Sequence, residues 1–216
     1  MRPKEITLPL RAVIFDYGMV LTGSQDPAAH AELVRITGLP IDTFESFYWR
    51  DRHDYDAGIL SGIGYWQKFV KDAGLDLPQA TIEELNRIDV RVWSTTNARM
   101  VAWQEQLRLR GLKRAILSNM GDSVRESIVI EHPWINTFDV LIWSYELRII
   151  KPNPAIYHAA LEKLNLPPEE TIFIDDKSEN TAAARALGIQ AFTFSTADKL
   201  REDLLAAGLD AELPLP

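Results

Sequence analysis

The chain of 216 residues contains no cysteine, which excludes disulfides, zinc-thiolate sites and thiol nucleophiles together and leaves any chemistry to oxygen and nitrogen groups. No apolar run approaches the ~20 residues that a bilayer-crossing helix needs. The start Met1-Arg-Pro-Lys-Glu lacks the apolar region of a signal peptide, so the expectation is a soluble cytoplasmic protein without a membrane partner. Positive charge is also short: 23 Lys and Arg face 31 Asp and Glu, and the net charge of −8 argues against a polyanion such as nucleic acid as a partner. Internal repeats and low-complexity tracts are missing. What remains is an ordinary globular composition, large enough for one sizeable domain plus an insertion or small second domain.

The apolar run Ala12-Val-Ile-Phe15 leads straight into Asp16, and the chain then breaks at Gly18. A parallel strand covered on both faces reads as such a run, and ligands of open α/β sheets collect beyond the carboxyl ends of these strands. Taken alone, Asp16 would be an acid capping a turn. Its companions along the chain change that reading.

From residue 23 to 91 no segment reads as a buried strand. Asp26-Pro27 opens the first of four helical patches, at residues 27–37, 42–56, 61–73 and 80–91, separated by Gly38-Leu-Pro40, Gly58 and Gly74-Leu-Asp-Leu-Pro78. The stretch is a helical insertion, and Phe44, Phe47, Tyr48, Trp49, Tyr55, Tyr65, Trp66 and Phe69 are concentrated in it. Most of these aromatics should form its core, with one or two left to face a substrate. A helix near residues 97–110 follows, with Met100, Trp103 and Leu107 on one face. Strands are then predicted at 113–117, 140–143, 171–174 and 190–194. Helices after them carry Ile156, Ala160 and Leu164, and later Leu200, Leu204 and Leu205, inward. Five short apolar strands separated by helices predict an α/β fold with a doubly wound parallel sheet, built from residues 1–22 and 92–216.

Polar residues fall at the carboxyl ends of these strands: Asp16 after the first, Ser118-Asn119 after the second and Asp175-Asp176 after the fourth. Lys151 opens the helix after the third. Three carboxylates in one crevice repel one another unless a hard cation lies between them, and an all-oxygen site suits Mg²⁺. A buried Lys beside a Ser hydroxyl and helix N-terminal amides makes an anion site next to it. Cation, anion site and one exposed carboxylate are the components of phosphoryl transfer.

These motifs resemble those of the haloacid dehalogenase-like (HAD) hydrolases over nearly the whole chain. Val13-Ile-Phe-Asp-Tyr-Gly-Met-Val-Leu21 is similar to the first family motif, Leu117-Ser-Asn119 to the second, Lys151-Pro-Asn-Pro154 to the third, and Ile174-Asp-Asp176 with Asn180 to the fourth. The resemblance implies a Rossmann-like core with a helical cap at residues 23–91. It also implies a phosphatase of a small phosphorylated metabolite, with a sugar phosphate as one candidate. By the same resemblance Asp16 is the nucleophile that becomes an aspartyl-phosphate, Ser118 and the Asn119 amide hold the phosphoryl oxygens, and Lys151 neutralises the group and steadies Asp16. Asp16, the Gly18 carbonyl, Asp175 and Asp176 are the implied Mg²⁺ ligands. Asn180 stands behind them or at a helix start.

One departure stands out. Phosphatases of the family usually carry a second Asp two residues after the nucleophile as general acid and base, whereas Gly18 stands here, a pattern similar to that of some sugar-phosphatase-like members. Without an acid, substrates with stable leaving groups should be favoured unless the cap supplies a proton, for which His53 and Asp54 are candidates. A 2-haloacid dehalogenase would carry Tyr at position 18 and would not need the Asp175-Asp176 pair. A non-catalytic phosphate-binding protein on the same fold is the other alternative. Arg50, Arg52, His53 and Tyr55 are the polar cap residues that would read the substrate.

Overall fold

A computed structural model describes residues 10–216. The expectations for residues 1–9, including the start and the first part of the core segment, lie outside the described residues. Five strands, β1 (Ala12–Phe15), β2 (Lys113–Ser118), β3 (Val140–Trp143), β4 (Thr171–Asp175) and β5 (Gln190–Thr193), form one sheet in the order β3-β2-β1-β4-β5. All four pairings are parallel. The strands are continuously apolar because both faces are covered. Val13 and Phe15 pack with Met100, Trp103, Leu107, Val124 and Ile128 on one face. Ala12 and Ile14 pack with Ile156, Ala160, Leu164 and Ala184 on the other.

The order puts β1 at the centre, with β2 on one side and β4 on the other. Phe15 pairs with both Ile116 and Ile174, and the Asp16 N–H donates to the Ile174 carbonyl at 2.8 Å. This register delivers Asp16 to the crevice beside the end of β4, where such sheets bind ligands.

Between β1 and β2 come α1 (Pro27–Thr37), α2 (Ile41–Arg50), α3 (Arg52–Asp56), α4 (Gly62–Asp72) and α5 (Gln79–Val92). Asp26 starts α1 by accepting from the N–H groups of Ala28 and Ala29, with Pro27 in the first turn and Gly38 closing it at φ +66°. The five helices share an apolar cluster of their own, in which Phe44, Tyr48, Tyr55, Tyr65, Trp66 and Phe69 are buried. The single helix expected over 42–56 is instead broken at Asp51, whose φ of −108° and ψ of 12° turn the chain between α2 and α3.

The remaining helices are α6 (Ala98–Leu109), α7 (Asp122–Glu131), α8 (Ser144–Leu147), α9 (Pro154–Leu164), α10 (Ser178–Ala186) and α11 (Ala197–Ala206). The sequence reading assigned no element between Asn119 and Val140. That stretch forms α7 and a short 3₁₀ turn, Pro133–Thr137, and within these two elements only Val124, Ile128 and Ile135 are buried. On α11, Leu200 and Leu204 are buried as expected, but Leu205 is 62% exposed because it lies one residue further round the helix. No helix among the described residues is long and apolar enough to cross a membrane.

The α1–α5 unit is held to the loops of β2 and β3 by close backbone approach. The Gly62 N–H donates to Asp122 Oδ1 at 2.9 Å, and the Ser144 hydroxyl donates to the Asp56 carbonyl while accepting from the Met120 N–H at 2.9 Å. Gly121 lies against the Tyr55 ring. Gly58, at φ +67°, passes so near Tyr145 that a Cβ would lie 2.5 Å from its carbonyl oxygen. Gly58→Ala therefore combines a left-handed backbone penalty of about 1–2 kcal/mol with a clash against backbone. The expected result is a fall in melting temperature of at least about 2–4 °C by calorimetry.

Candidate active site

Lys151 is the centre of the site. Its ammonium donates to Asp175 Oδ2 at 2.6 Å and to the Leu117 carbonyl at 2.9 Å and is ion-paired with Asp16 Oδ1 at 3.0 Å, so it ties together the ends of β4, β2 and β1. Asp175 is equally committed: its other oxygen accepts from the Lys177 N–H at 2.8 Å and from the Asn180 amide at 2.9 Å. Asn180 is itself buried, and its carbonyl accepts from the Tyr157 hydroxyl at 3.0 Å. The Asn119 side chain locks the loop carrying Lys151 to the end of β2, accepting from the Lys151 N–H at 2.7 Å and donating to the Lys151 carbonyl at 3.0 Å.

Asp16 follows β1 in extended conformation and accepts from the Tyr17 N–H at 2.7 Å through the same Oδ1 that faces Lys151. Its Oδ2 has no protein donor among the described residues. Beyond it the turn Tyr17–Leu21 is closed by the Thr22 N–H on the Tyr17 carbonyl at 2.9 Å, and Met19 takes the left-handed region at φ +60°. Gly18 does not: its φ of −61° and ψ of 135° suit any residue, and a Cβ there would meet only the Trp93 ring, at 3.8 Å. Backbone geometry therefore does not require glycine at this position.

One ligand-capable carboxylate oxygen from each of Asp16, Asp175 and Asp176 lies within 4.8 Å of the others. Burial pushes the Asp16 carboxyl up to about 7, opposed by Lys151 and reinforced by Asp175 and Asp176. Burial and the neighbouring Asp175 also raise Asp176. For Asp175 burial acts upward too, but Lys151 and the hydrogen bonds from Lys177 and Asn180 outweigh it and hold the carboxyl below its ordinary value. Burial opposes the charged Lys151, and the two carboxylates overcome this to raise its pKa. Two of the three acids are thus destabilised as anions in a cluster of hard oxygen donors, an arrangement that a divalent cation relieves.

Asp16, Gly18, Ser118, Asn119, Lys151, Asp176 and Asn180 line one cavity of about 530 Å³. Asp175 sits behind it, fully buried against Lys151. The α1–α5 unit contributes Trp49, Arg52 and Asp56 to the wall, and Trp93 follows at the end of α5. Of the expected substrate readers only Arg52 reaches the cavity. Arg50 is outside and paired with Asp72, His53 is exposed, and Tyr55 is buried among aromatics. Asp54 is likewise absent from the wall. The sequence reading missed Asp56, Trp49 as a wall residue, and Trp93. The alternation of acids at 54 and 56 was visible, but which one turns inward depends on the break at Asp51.

Residues 10–188 match the family model described as haloacid dehalogenase-like hydrolase, and the chain belongs to that family. It is 25% identical over 210 residues to Phosphatase MT3486 of Mycobacterium tuberculosis, covering 92% of this chain and 93% of that protein. It is also 25% identical over 211 residues to (S)-2-haloacid dehalogenase 1 of a Pseudomonas species, covering 90% of this chain and 88% of that one. Among solved structures, the fold is similar to that of an aspartate-to-alanine mutant of HAD family enzyme bt-2542 from Bacteroides thetaiotaomicron, in complex with magnesium and inorganic phosphate. The TM-score is 0.70 at 20% identity, covering 86% of this chain and 94% of that one.

The raised Asp16 carboxyl carries a stability prediction. In chelator, the folded protein retains a proton on Asp16 between the ordinary value of 3.8 and about 7, so its contribution to stability is present below that window and is lost as pH rises through it. Asp16→Asn should flatten the decline in melting temperature between pH 5 and pH 8. A decline as steep as that of the wild type would show that Asp16 is not the group responsible.

Proposed function

We propose that this hydrolase is a Mg²⁺-dependent phosphomonoesterase of a small phosphorylated metabolite, working through an aspartyl-phosphate on Asp16. The single observation behind this reading is the Lys151 bridge to Asp16 and Asp175, which holds Oδ1 of Asp16 in place and leaves Oδ2 without a protein donor among the described residues, in a cluster with Asp175 and Asp176. The similarity to a phosphatase over nine-tenths of both chains supports it. So does the fold shared with a protein crystallised with magnesium and phosphate.

Asp16, Asp176 and the Gly18 carbonyl would hold the cation, with Asp175 behind them, its oxygens already accepting three hydrogen bonds. All are hard oxygen donors, which fits Mg²⁺. When bound, the cation neutralises charge on the phosphoryl oxygens and on the acid cluster. Asp16 Oδ2 attacks phosphorus, and the ester bond to the leaving oxygen breaks. Ser118 and the Asn119 backbone N–H hold phosphoryl oxygens; neither has an acceptor among the described residues. Lys151 keeps Asp16 oriented and offsets the charge that gathers there. Water then cleaves the aspartyl-phosphate. The carboxylate pair Asp175-Asp176 and the glycine at position 18 stand against the dehalogenase reading.

A panel of phosphomonoesters assayed for released phosphate tests this reading. Activity should require Mg²⁺ and disappear on exhaustive chelation. Asp16→Asn should fold and yet lose turnover, because the amide cannot attack phosphorus. Full activity in chelator would overturn the metal requirement, and substantial kcat in Asp16→Asn would overturn the covalent route.

A further inference from the structure

Position 18 has no side chain, and the α1–α5 unit supplies part of the wall of the cavity beside it. Within that wall Asp56 is the one carboxylate from the helical unit that faces the cavity shared with Asp16 and Lys151. It ends α3, and its own carbonyl is held by the Ser144 hydroxyl, which also takes the Met120 N–H just beyond Ser118-Asn119. The next glycine, Gly58, is pressed on Tyr145. Asp56 is therefore anchored to the same β2 and β3 loops that carry the phosphoryl-binding groups, although it belongs to a different part of the chain.

Its carboxylate is ion-paired with Arg52 but hydrogen-bonded to nothing among the described residues. Arg52 Nε approaches at 3.6 Å, beyond hydrogen-bond distance, while the Arg52 guanidinium is engaged by Asp89 at 2.9 and 3.2 Å and by the Tyr48 hydroxyl at 3.1 Å. The Asp56 side chain is 15% exposed, and no protein group hydrogen-bonds to it among the described residues. A carboxyl that faces a cavity, lacks a fixed donor and is partly desolvated is suited to exchange protons.

We propose that the Asp56 carboxyl is the general acid and base of this enzyme, supplying from the helical unit what Gly18 cannot supply from the core. The inference rests on the phosphomonoesterase reading above. As the Asp16 Oδ2–phosphorus bond forms, the bond between phosphorus and the leaving oxygen breaks. That oxygen keeps the electron pair, takes the proton from Asp56 and departs as an alcohol. In the second step the Asp56 carboxylate takes a proton from water as the water oxygen bonds to phosphorus. The bond from phosphorus to Asp16 breaks, its electron pair returns to the Asp16 carboxylate, and phosphate leaves with both acids restored.

The groups acting on Asp56 are consistent with this role. Burial raises its pKa, Arg52 on the same helix and Lys177 after β4 lower it, Asp89 on α5 raises it and His53 lowers it, with a net upward shift. His53 is exposed and Asp54 is outside the wall, so neither competes.

The test is kcat/KM with Mg²⁺ for phosphomonoesters spanning leaving-group pKa, measured for wild type, Asp56→Asn, Asp56→Glu and the double variant Asp56→Asn with Gly18→Asp. Wild type should depend weakly on the leaving group. Asp56→Asn should lose about 10²–10⁴-fold on alkyl phosphates and much less on p-nitrophenyl phosphate. The alkaline limb of its kcat/KM profile should vanish, return displaced in Asp56→Glu, and Gly18→Asp should recover part of the alkyl phosphate activity. Equal loss on every substrate with an unchanged slope would make Asp56 a binding residue and overturn the proposal. If Asp56→Asn melts below the assay temperature, an alkaline limb unmoved in Asp56→Glu overturns it instead. Wild type inactive on every phosphomonoester would overturn the phosphatase reading and this inference together, whereas active wild type with an unaltered Asp56→Asn profile would overturn this inference alone.

Discussion

The ammonium of Lys151, shared between two buried carboxylates and a carbonyl, is the constraint on which the site depends. Burying a charge costs several kcal/mol unless opposite charge and hydrogen bonds meet it, and here Lys151 has two hydrogen bonds, at the ends of β2 and β4, and an ion pair with Asp16 after β1. The bridge forms only when those three strands are adjacent and in register, so sheet order and site geometry are one fact. Asn119 adds a second tie between β2 and the Lys151 loop. The balance is deliberately incomplete in charge. One lysine faces three carboxylates, Asp16 and Asp176 remain unfavourable as anions, and the surplus negative charge makes the crevice receptive to a divalent cation.

The helical unit repeats this logic on a smaller scale. Arg52 and Asp89 are both buried, and they neutralise each other with the Tyr48 hydroxyl as a shared partner. Aromatic rings surround the guanidinium, which is within cation–π distance of Tyr48, Tyr55, Tyr65 and Trp93. This network fixes the end of α3 and hence the place of Asp56. Close approaches at three glycines, Gly58 on the Tyr145 backbone, Gly62 on Ser123 and Asn86, and Gly121 on the Tyr55 ring, then set the helical unit against the core loops. Aromatic and charged groups of the helical unit, Trp49, Arg52 and Asp56, thereby share one cavity with Asp16 and Lys151.

Core and insertion differ in how far they were legible in the chain. Each strand read correctly because a doubly covered strand has no exposed face to interrupt its apolar run, and Asp16, Ser118, Lys151, Asp175 and Asp176 could be placed because sheet chemistry collects at strand ends. In the insertion, helix existence was readable from caps and glycines, but orientation was not. Arg50, Arg52, His53, Asp54 and Tyr55 were the candidates there, and of these only Arg52, joined by the unforeseen Asp56, reaches the cavity beyond the backbone break at Asp51. Helix α7 escaped notice because Val124 and Ile128 are its only buried residues and give a weak periodic signal.

The sequence by itself determined the parallel α/β architecture, the crevice at the strand ends and the set of acids and lysine that meet there, because these follow from local polarity patterns along single segments. Only the tertiary structure decided which residues of the helical unit face the crevice, that Asp175 accepts three hydrogen bonds while the Asp176 side chain accepts none among the described residues, and that Gly18 is not demanded by its backbone. Those outcomes depend on distances between segments far apart in the chain, set by packing of the helical unit on the core, and local pattern carries no record of them.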